Sequence, residues 1–406
     1  MANKVVNMFR QLRCFSLYKA YCQYPNTYLG IVTAVALMGY LYFLLFPFGV
    51  LYGAWQLYSL FPAPFNAHTV LTTLVWVSVI LFCAGMAHGI LTIRFKDPEG
   101  IPLPRAKAQL IYNKLQEIQA DVKWPAIDNI VLTRRFELNI IKTPLWGAPF
   151  WSRTTLVIGF PFMQSLSPEQ FDCALTRKVL QYSKRRNIFI NWLSFLRVTW
   201  ALYPDAFKQR HKVGDQISRW FLHFYSRFYR YLALYATQLD ELHGDAMALN
   251  ALNDRDLFKT VETIRLVQIF LNQHYWPKLN ELLNRNTVAP ENIRPYEHLS
   301  KSVIQMLQSP HIEHWLKMLS LEKDSHGRHE PAFAKRMEYM GYNKIVAIKP
   351  FNKTAAMYYF GPDNNRLVQH MNKLWAMNLH NDRKHARTKT SHKSLARTHQ
   401  PLKAAF

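Results

Sequence analysis

Five side chains in two short stretches are the ones whose types and spacing bear on chemistry. Ser165 to Asn187, SLSPEQFDCALTRKVLQYSKRRN, carries Arg177, Lys178 and Gln181, and Gln238 to Leu249, QLDELHGDAMAL, carries Glu241 and Asp245. Residues three or four apart share one face of a helix, so Arg177 stands one turn from Gln181 and Glu241 one turn from Asp245. A catalytic zinc takes about three neutral-imidazole or anionic ligands and keeps an open position for water. Arg177 has only donors and a permanent positive charge. Lys178 acts as a general base near neutral pH only if burial lowers its pKa by roughly three units. Gln181 offers an amide oxygen, a poor ligand for zinc. Two histidine groupings also fall short of a metal motif. His311, Glu313 and His314 lack the His-Glu-x-x-His spacing and read as a surface helix, and His329 and Glu330 are followed by Phe333 where a second histidine would stand.

The elements that must position these residues are legible on either side. Ser167 is a hydroxyl N-cap, Pro168 suits the first helical position, and Gln170 can bond back to the cap, so a helix starts there. Upstream, RTTLVIGF (Arg153 to Phe160) is a β-rich run ended by Gly159 and Pro161. Downstream come two aromatic-rich helical stretches, Ile188 to Tyr203 and Arg219 to Tyr235, and then the carboxylate-bearing helix. The first of the two reads as a buried helix; the second suits either an interfacial helix on anionic lipid or a core stripe.

That order, and the run TTLVIGFPFMQSLSPEQFDCALTRKVLQ, resembles the HtpX-type and CAAX-prenyl endopeptidase family of membrane zinc metallopeptidases. The family reads "N-x-L-x-x-G…LSPEEL-x-AVLAHELGH", followed later by "E-Y-x-AD". Laid along it, Arg177 falls on the first histidine of His-Glu-x-x-His, Lys178 on the glutamate and Gln181 on the second histidine. Glu241 falls on the third zinc ligand and Asp245 on the aspartate four residues later, with Gly244 in place of the usual alanine. Asp324 to Tyr342 resembles a late family segment, "D-x-HP…ER-x-x-x-LG", through Asp324, His326, Arg336 and Gly341, so the resemblance covers roughly Pro98 to Tyr342.

The resemblance implies a metallopeptidase-like domain with the helix of Arg177 packed against that of Glu241. It also implies that Thr155, Leu156, Val157 and Ile158 lie on an exposed edge strand, where an extended substrate would add as a further strand. With Glu241 the one ligand kept, no catalytic residue and no cofactor is expected. Arg177, or failing that Lys178, would then replace the metal as Glu241's partner, with Asp245 in the same structural set. The alternative is an active zinc endopeptidase with altered ligands. It needs Gln181, Glu241 and either His243 or a distant histidine to converge while Arg177 and Lys178 turn away.

The rest of the 406 residues sets the compartment. Tyr28 to about Leu51 and Thr69 to Leu91 are two runs without a charge, each longer than the roughly 20 residues that span a bilayer. The connector Ala54 to His68 has no Lys or Arg, whereas four basic residues precede the first run and Arg94 and Lys96 follow the second. Positive-inside asymmetry therefore puts both termini and the main domain in the cytoplasm, at the inner (plasma) membrane. The net charge of +24 calls for an anionic partner, with anionic lipid favoured and a peptide or membrane-protein client possible. No Gly-rich phosphate loop, zinc finger or RNA-binding signature supports specific nucleic-acid binding. Cys14, Cys22, Cys83 and Cys173 have no paired spacing, so neither a disulfide framework nor a zinc ribbon is expected.

The expected fold class is α+β and mainly helical. A basic amphipathic segment (1–27) precedes a transmembrane hairpin (28–91), a metallopeptidase-like domain with a small sheet (97–380) and a basic, disordered tail (381–406) with seven Lys or Arg and one Asp. The function expected is that of a catalytically inactive pseudopeptidase that binds extended or misfolded membrane-protein segments, or another membrane component.

Overall fold

Two apolar helices open the computed structural model, which describes residues 17, 19–61, 66–122, 127–145, 147, 151–182, 188–208, 213–284, 292–310, 312–320, 330–342 and 351–380. Helix α1 runs Pro25–Leu60 and helix α2 runs Ala67–Leu91. Both are long and apolar enough to cross a membrane. The connector expected from Ala54 is shorter than its sequence suggests, because α1 continues through Ala54–Leu60, a stretch with no proline. Pro47 lies inside the helix. The two helices approach closely at glycines: a Cβ on Gly49 would stand 2.6 Å from Cys83 Sγ, and one on Gly53 2.6 Å from Ile80 Cγ1. Such small residues let apolar helices meet backbone to backbone. Only Met86 and Ile90 of α2 are buried, so most of its apolar surface is open.

The sheet that follows has four strands, β1 (Ile101–Pro102), β2 (Asn129–Thr133), β3 (Leu138–Pro144) and β4 (Ser152–Gly159), in the order β1-β2-β4-β3. The stretch Asn129 to Ile141, read as one strand from sequence, is thus two strands that flank β4. Residues 134–137 carry the chain across the end of β4. Gly159 permits the crossing, since a Cβ there would collide with the Arg135 carbonyl oxygen. The consequence for the expected substrate strand is direct. Thr155, Leu156, Val157 and Ile158 are buried on β4, which pairs with β2 on one side and β3 on the other. An interior strand has no free backbone row to accept an added strand. The edge expected there belongs instead to β3.

Helix α3 (Gln109–Val122) packs one face of the sheet through Ile111, Leu115 and Ile118. After a single helical turn, Phe160–Gln164, come α4 (Pro168–Gln181), α5 (Ile188–Ala206), α6 (Val213–Leu232), α7 (Leu234–Leu249) and α8 (Asp254–Phe270). The main core joins sheet and helices through Leu132, Leu156, Ile158, Phe171, Leu175 and Val179. A second core joins α1 to α5 and α6, with Phe43 stacked on Trp200 and Tyr42 on Phe221. The reading of α5 as a buried helix holds in the sense that it lies against α1 rather than alone. Beyond α8 the ladder widens to a π-turn at Leu271–Tyr275, one turn before Pro277, and resumes as α9 (Trp276–Asn284). Helices α10 (Pro295–Gln308), α11 (Ile312–Ser320), α12 (Phe333–Tyr339) and α13 (Ala355–Phe360) and a last helix over 364–380 complete the domain. The chain is therefore mainly helical with one small mixed sheet. The basic tail from Asn381 and most of the amphipathic segment 1–27 lie outside the described residues.

Candidate functional site

The start of α4 is fixed as its sequence requires. Gln170 N donates to Ser167 Oγ at 3.2 Å, and Ser167 N donates to Gln170 Oε1 at 3.1 Å. The Gln170 amide also donates to Thr263 Oγ1 at 3.0 Å, which ties this end of α4 to α8. Phe171, Leu175 and Val179 then turn into the core, and Arg177, Lys178 and Gln181 are left buried along α7. The helices touch most closely where Gly244 passes Gln181: an added Cβ would lie 3.0 Å from both Gln181 Cβ and Cγ. Alanine, the residue the family resemblance leads one to expect there, would crowd this contact.

Across that contact the charged groups form one network. Arg177 Nη2 donates to Glu241 Oε2 at 2.8 Å and to the Glu241 carbonyl oxygen at 3.2 Å, while its Nε donates to Asp245 Oδ1. Lys178 Nζ donates to Glu241 Oε1 at 2.9 Å and to Gln181 Oε1 at 3.1 Å. Gln181 Nε2 in turn donates to Asp240 Oδ2 at 3.0 Å. Arg336 reaches in from α12 and grips Asp245 with Nε on Oδ2 at 2.8 Å and Nη2 on Oδ1 at 2.7 Å. The Asp245 side chain is 0% exposed and that of Glu241 17%. Both oxygens of each carboxylate are thereby matched by a cation, the condition under which buried charge is tolerated.

The electrostatics follow from this packing. Burial works to raise the Glu241 carboxyl, but Lys178 and Arg177 hold it well below the usual carboxylate range. Asp245 is likewise lowered, burial being outweighed by Arg177 and Arg336. Burial opposes the charge on Arg177, yet Asp245 and Glu241 hold its proton more firmly than in water. Asp240 differs. Burial first, and then the neighbouring Glu241 charge, push its carboxyl up to about 7, with Gln181 and Lys178 only partly offsetting them. A carboxyl that titrates near neutrality thus sits at one end of a network otherwise fixed in charge.

This donor set does not fit zinc. Two cations occupy the side of Glu241 from which histidines would have to approach, and Gln181 presents its oxygen to Lys178. Among the described residues no group of three or more His, Cys, Asp or Glu is placed to hold a metal. The altered-ligand alternative requires Arg177 and Lys178 to turn away from Glu241, and both turn toward it.

A cleft of about 140 Å³ opens over the network. Arg177, Lys178 and Glu241 form its floor, Glu137, Leu138 and Asn139 one wall, and Arg265, Glu330 and Arg336 the other. Leu138 lies on β3, the end strand of the sheet on this side. Gly159 N donates to the Glu137 carbonyl and Leu145 N to that of Trp151, so the odd-numbered residues of β3 bond to β4. By antiparallel alternation Leu138 and Ile140 direct their backbone N–H and C=O away from β4.

The structure therefore brings together Arg177, Lys178, Gln181, Glu241 and Asp245, and the ion pair expected between Arg177 and Glu241 is present, joined by Lys178 as a second cation. Two participants had no role from sequence: Arg336, whose partner lies 91 residues away, and Asp240, which faces Gln181. Glu330, weighed from sequence as part of a failed metal motif, lies 3.4 Å from Arg265 in the lining of the cleft. Asp324, His326, His311 and His329 lie outside the described residues. Comparison with known proteins gives no family: no family model, no curated protein and no solved structure matches this chain.

Proposed function

We propose that this chain is a membrane-anchored, metallopeptidase-like protein that does not cleave, and that it holds an extended polypeptide segment in the cleft beside Glu241. The observation that carries the reading is the replacement of a ligand set by an ion-pair network. The positions that the family resemblance assigns to two histidines and a general base hold Arg177, Gln181 and Lys178; Arg177 and Lys178 cross-link α4 to α7 through Glu241 and Asp245, and Gln181 does so through Asp240. A site rewired in this way keeps the helices together without a metal and puts Lys178, held by Glu241, where the resemblance places the general base. The outward backbone groups of Leu138, half-buried at the cleft, suit the start of strand addition by an unfolded or membrane-protein client. In this reading α1 and α2 cross the inner membrane as a hairpin, with both ends and the domain on the cytoplasmic side, as the flanking Arg and Lys favour.

Full-length protein purified in detergent tests the reading in two measurements. Metal analysis is expected to give less than a tenth of an equivalent of zinc, with no cleavage of an unfolded protein substrate. Photo-crosslinkers placed at Leu138 and at Thr155 are expected to capture that substrate from Leu138 only. Stoichiometric zinc with zinc-dependent cleavage overturns the inactive assignment, and capture from neither position overturns the binding assignment.

A further inference from the structure

Helix α6 runs antiparallel to the first half of α1. Tyr42 Oη donates to Ser218 Oγ at 3.0 Å, Tyr225 Oη donates to the Val35 carbonyl at 2.8 Å, and Tyr28 Oη donates to the Leu232 carbonyl. The start of α6 abuts the end of α2, where Gly214 passes Met86 and Asp215 passes Gly89. Thus α6 takes over as the neighbour of α1 where α2 ends, and the three helices share one continuous flank.

The outward side of α6 is the unusual part. Ile217, Trp220, Phe224 and Phe228 recur at helical spacing, and Trp220 and Phe224 are 76% and 71% exposed. The inward side is occupied by Leu222, Tyr225 and Tyr229, so the outer stripe is additional to the core. Next to it, about a third of a turn round, lie the exposed Arg219, Arg227 and Arg230. Among the described residues no carboxylate pairs with these three. Arg197 Nε donates to the Arg230 carbonyl at 3.3 Å, which brings a further guanidinium to the same place.

An apolar stripe flanked by arginines suits the boundary where a span meets charged headgroups, and α6, running alongside α1, crosses that boundary rather than lying in its plane. Its level along α1 fits. Trp220 lies between the contacts at Tyr42 and Val35, so it stands opposite roughly Leu41. From there to Tyr58, which with Trp55 marks the other end of α1, is about 25 Å at 1.5 Å per residue, close to the roughly 30 Å of a hydrocarbon core. Aromatic residues collect at both boundaries of a span. Leu41 and Leu45 on α1 and Leu81 on α2 are likewise exposed apolar side chains.

We infer that the outer face of α6 is a membrane contact, with Ile217, Trp220 and Phe224 in the lipid boundary and Phe228, Arg227 and Arg230, further along the helix, at the level of anionic headgroups. The inference rests on the reading of α1 and α2 as spans and adds a third element at the cytoplasmic boundary. Because α6 ends at Leu232 and α7 begins at Leu234, this contact sets the height of Glu241 and the cleft above the membrane.

Full-length protein in vesicles of zwitterionic lipid, with and without a third of anionic lipid, tests it. A nitroxide attached at Trp220→Cys or Phe224→Cys is expected to be reached by oxygen more readily than by a water-soluble nickel chelate, as is one at Leu81→Cys on α2. Chelate access at Trp220 and Phe224 with a lipid-like Leu81 overturns the α6 contact alone; chelate access at all three overturns the span reading as well. Should the cysteine variants not fold, a photoactivatable lipid on the unaltered chain gives the same decision. Adducts in both 67–91 and 213–232 support the contact, adducts in 67–91 alone overturn it, and adducts in neither overturn the spans too. Arg227→Gln with Arg230→Gln is expected to reduce labelling of 213–232 severalfold in anionic vesicles and to leave it unchanged in zwitterionic ones. Equal labelling in both removes the anionic headgroup from the proposal.

Discussion

Arg336 and Asp245, 91 residues apart, meet through two bonds of 2.7 and 2.8 Å, and that contact brings α12 onto the back of the α4–α7 pair. Asp245 is fully buried and already bonded by Arg177, so Arg336 completes rather than creates its neutralisation. Arg336→Met is expected to leave Asp245 Oδ2 without its donor and Oδ1 with Arg177 alone, and to lower stability by about 1–3 kcal/mol, the cost of stranding a buried polar group. Asp245→Asn strands Arg336 and leaves Arg177 with Glu241 alone, and is expected to cost more, about 3–5 kcal/mol. Thermal melting of the purified chain measures both; equal, sub-kilocalorie losses would mean that solvent reaches the pair.

The Arg177 and Glu241 exchange should show strong non-additivity. Arg177→Met leaves Glu241 with Lys178, and Glu241→Gln leaves Arg177 with Asp245, so each single change breaks two ion pairs, of which the Arg177–Glu241 pair is shared. Each is expected to cost about 3–5 kcal/mol, with the double variant recovering about 1–3 kcal/mol of the sum. Additive losses in a double-mutant cycle would show that the two side chains are independent.

Asp240 supplies a pH dependence of definite sign. Its folded value of about 7 lies above the ordinary 3.8. Between those limits the folded chain keeps a proton that the unfolded chain has released, so stability falls as pH rises from about 4 to about 7 and is level above that. The whole effect is about 4 kcal/mol. Glu241 and Asp245 act in the opposite sense: with lowered folded values, their contribution is present above the ordinary carboxylate range and is lost on acidification. Asp240→Asn keeps an oxygen for Gln181 and removes the titration. The variant is expected to match the parent near pH 4.5 and to exceed it at pH 8, by melting temperature; parallel pH curves would show that Asp240 is ionised throughout.

How much of this was legible in the sequence depends on how local each cause is. The capping box at Ser167 and Gln170 is a contact three residues long, and it forms as read. The facing of Arg177 and Glu241 was legible only through the resemblance, whose layout packs the capped helix on the later carboxylate helix; nothing in the spacing alone pairs them. The position of β4 was not. A strand whose residues are apolar or threonine reads the same at an edge or in the interior, and the decision lay in residues 134–137, which cross its end and place β3 outside it. Arg336 was present in the quoted late segment, but nothing in its spacing points to Asp245. Asp240 stands beside Glu241 and was hidden by it, because only the packing of Gln181 shows that both carboxylates face α4.

The last prediction asks whether the scaffold remains that of a metal site. Position 177 faces Glu241 and Asp245, and position 181 faces Asp240 and Gly244, so an imidazole at each would approach Glu241 from α4. The combined variant R177H/K178E/Q181H removes two cations from α4 and supplies two neutral imidazoles and one carboxylate. With Glu241 these give three ligands, the number a catalytic zinc takes. Asp245 keeps Arg336 as its partner, so the change does not strand it. The variant is expected to bind about one zinc per chain at micromolar free metal or tighter and to melt at a higher temperature with zinc than with chelator, since a ligand that binds only the folded state stabilises it by mass action. The parent chain is expected to show no such shift. A folded variant without zinc binding would mean that α4 and α7, although cross-linked by ion pairs, do not hold the metallopeptidase geometry, and would count against the family reading on grounds independent of activity.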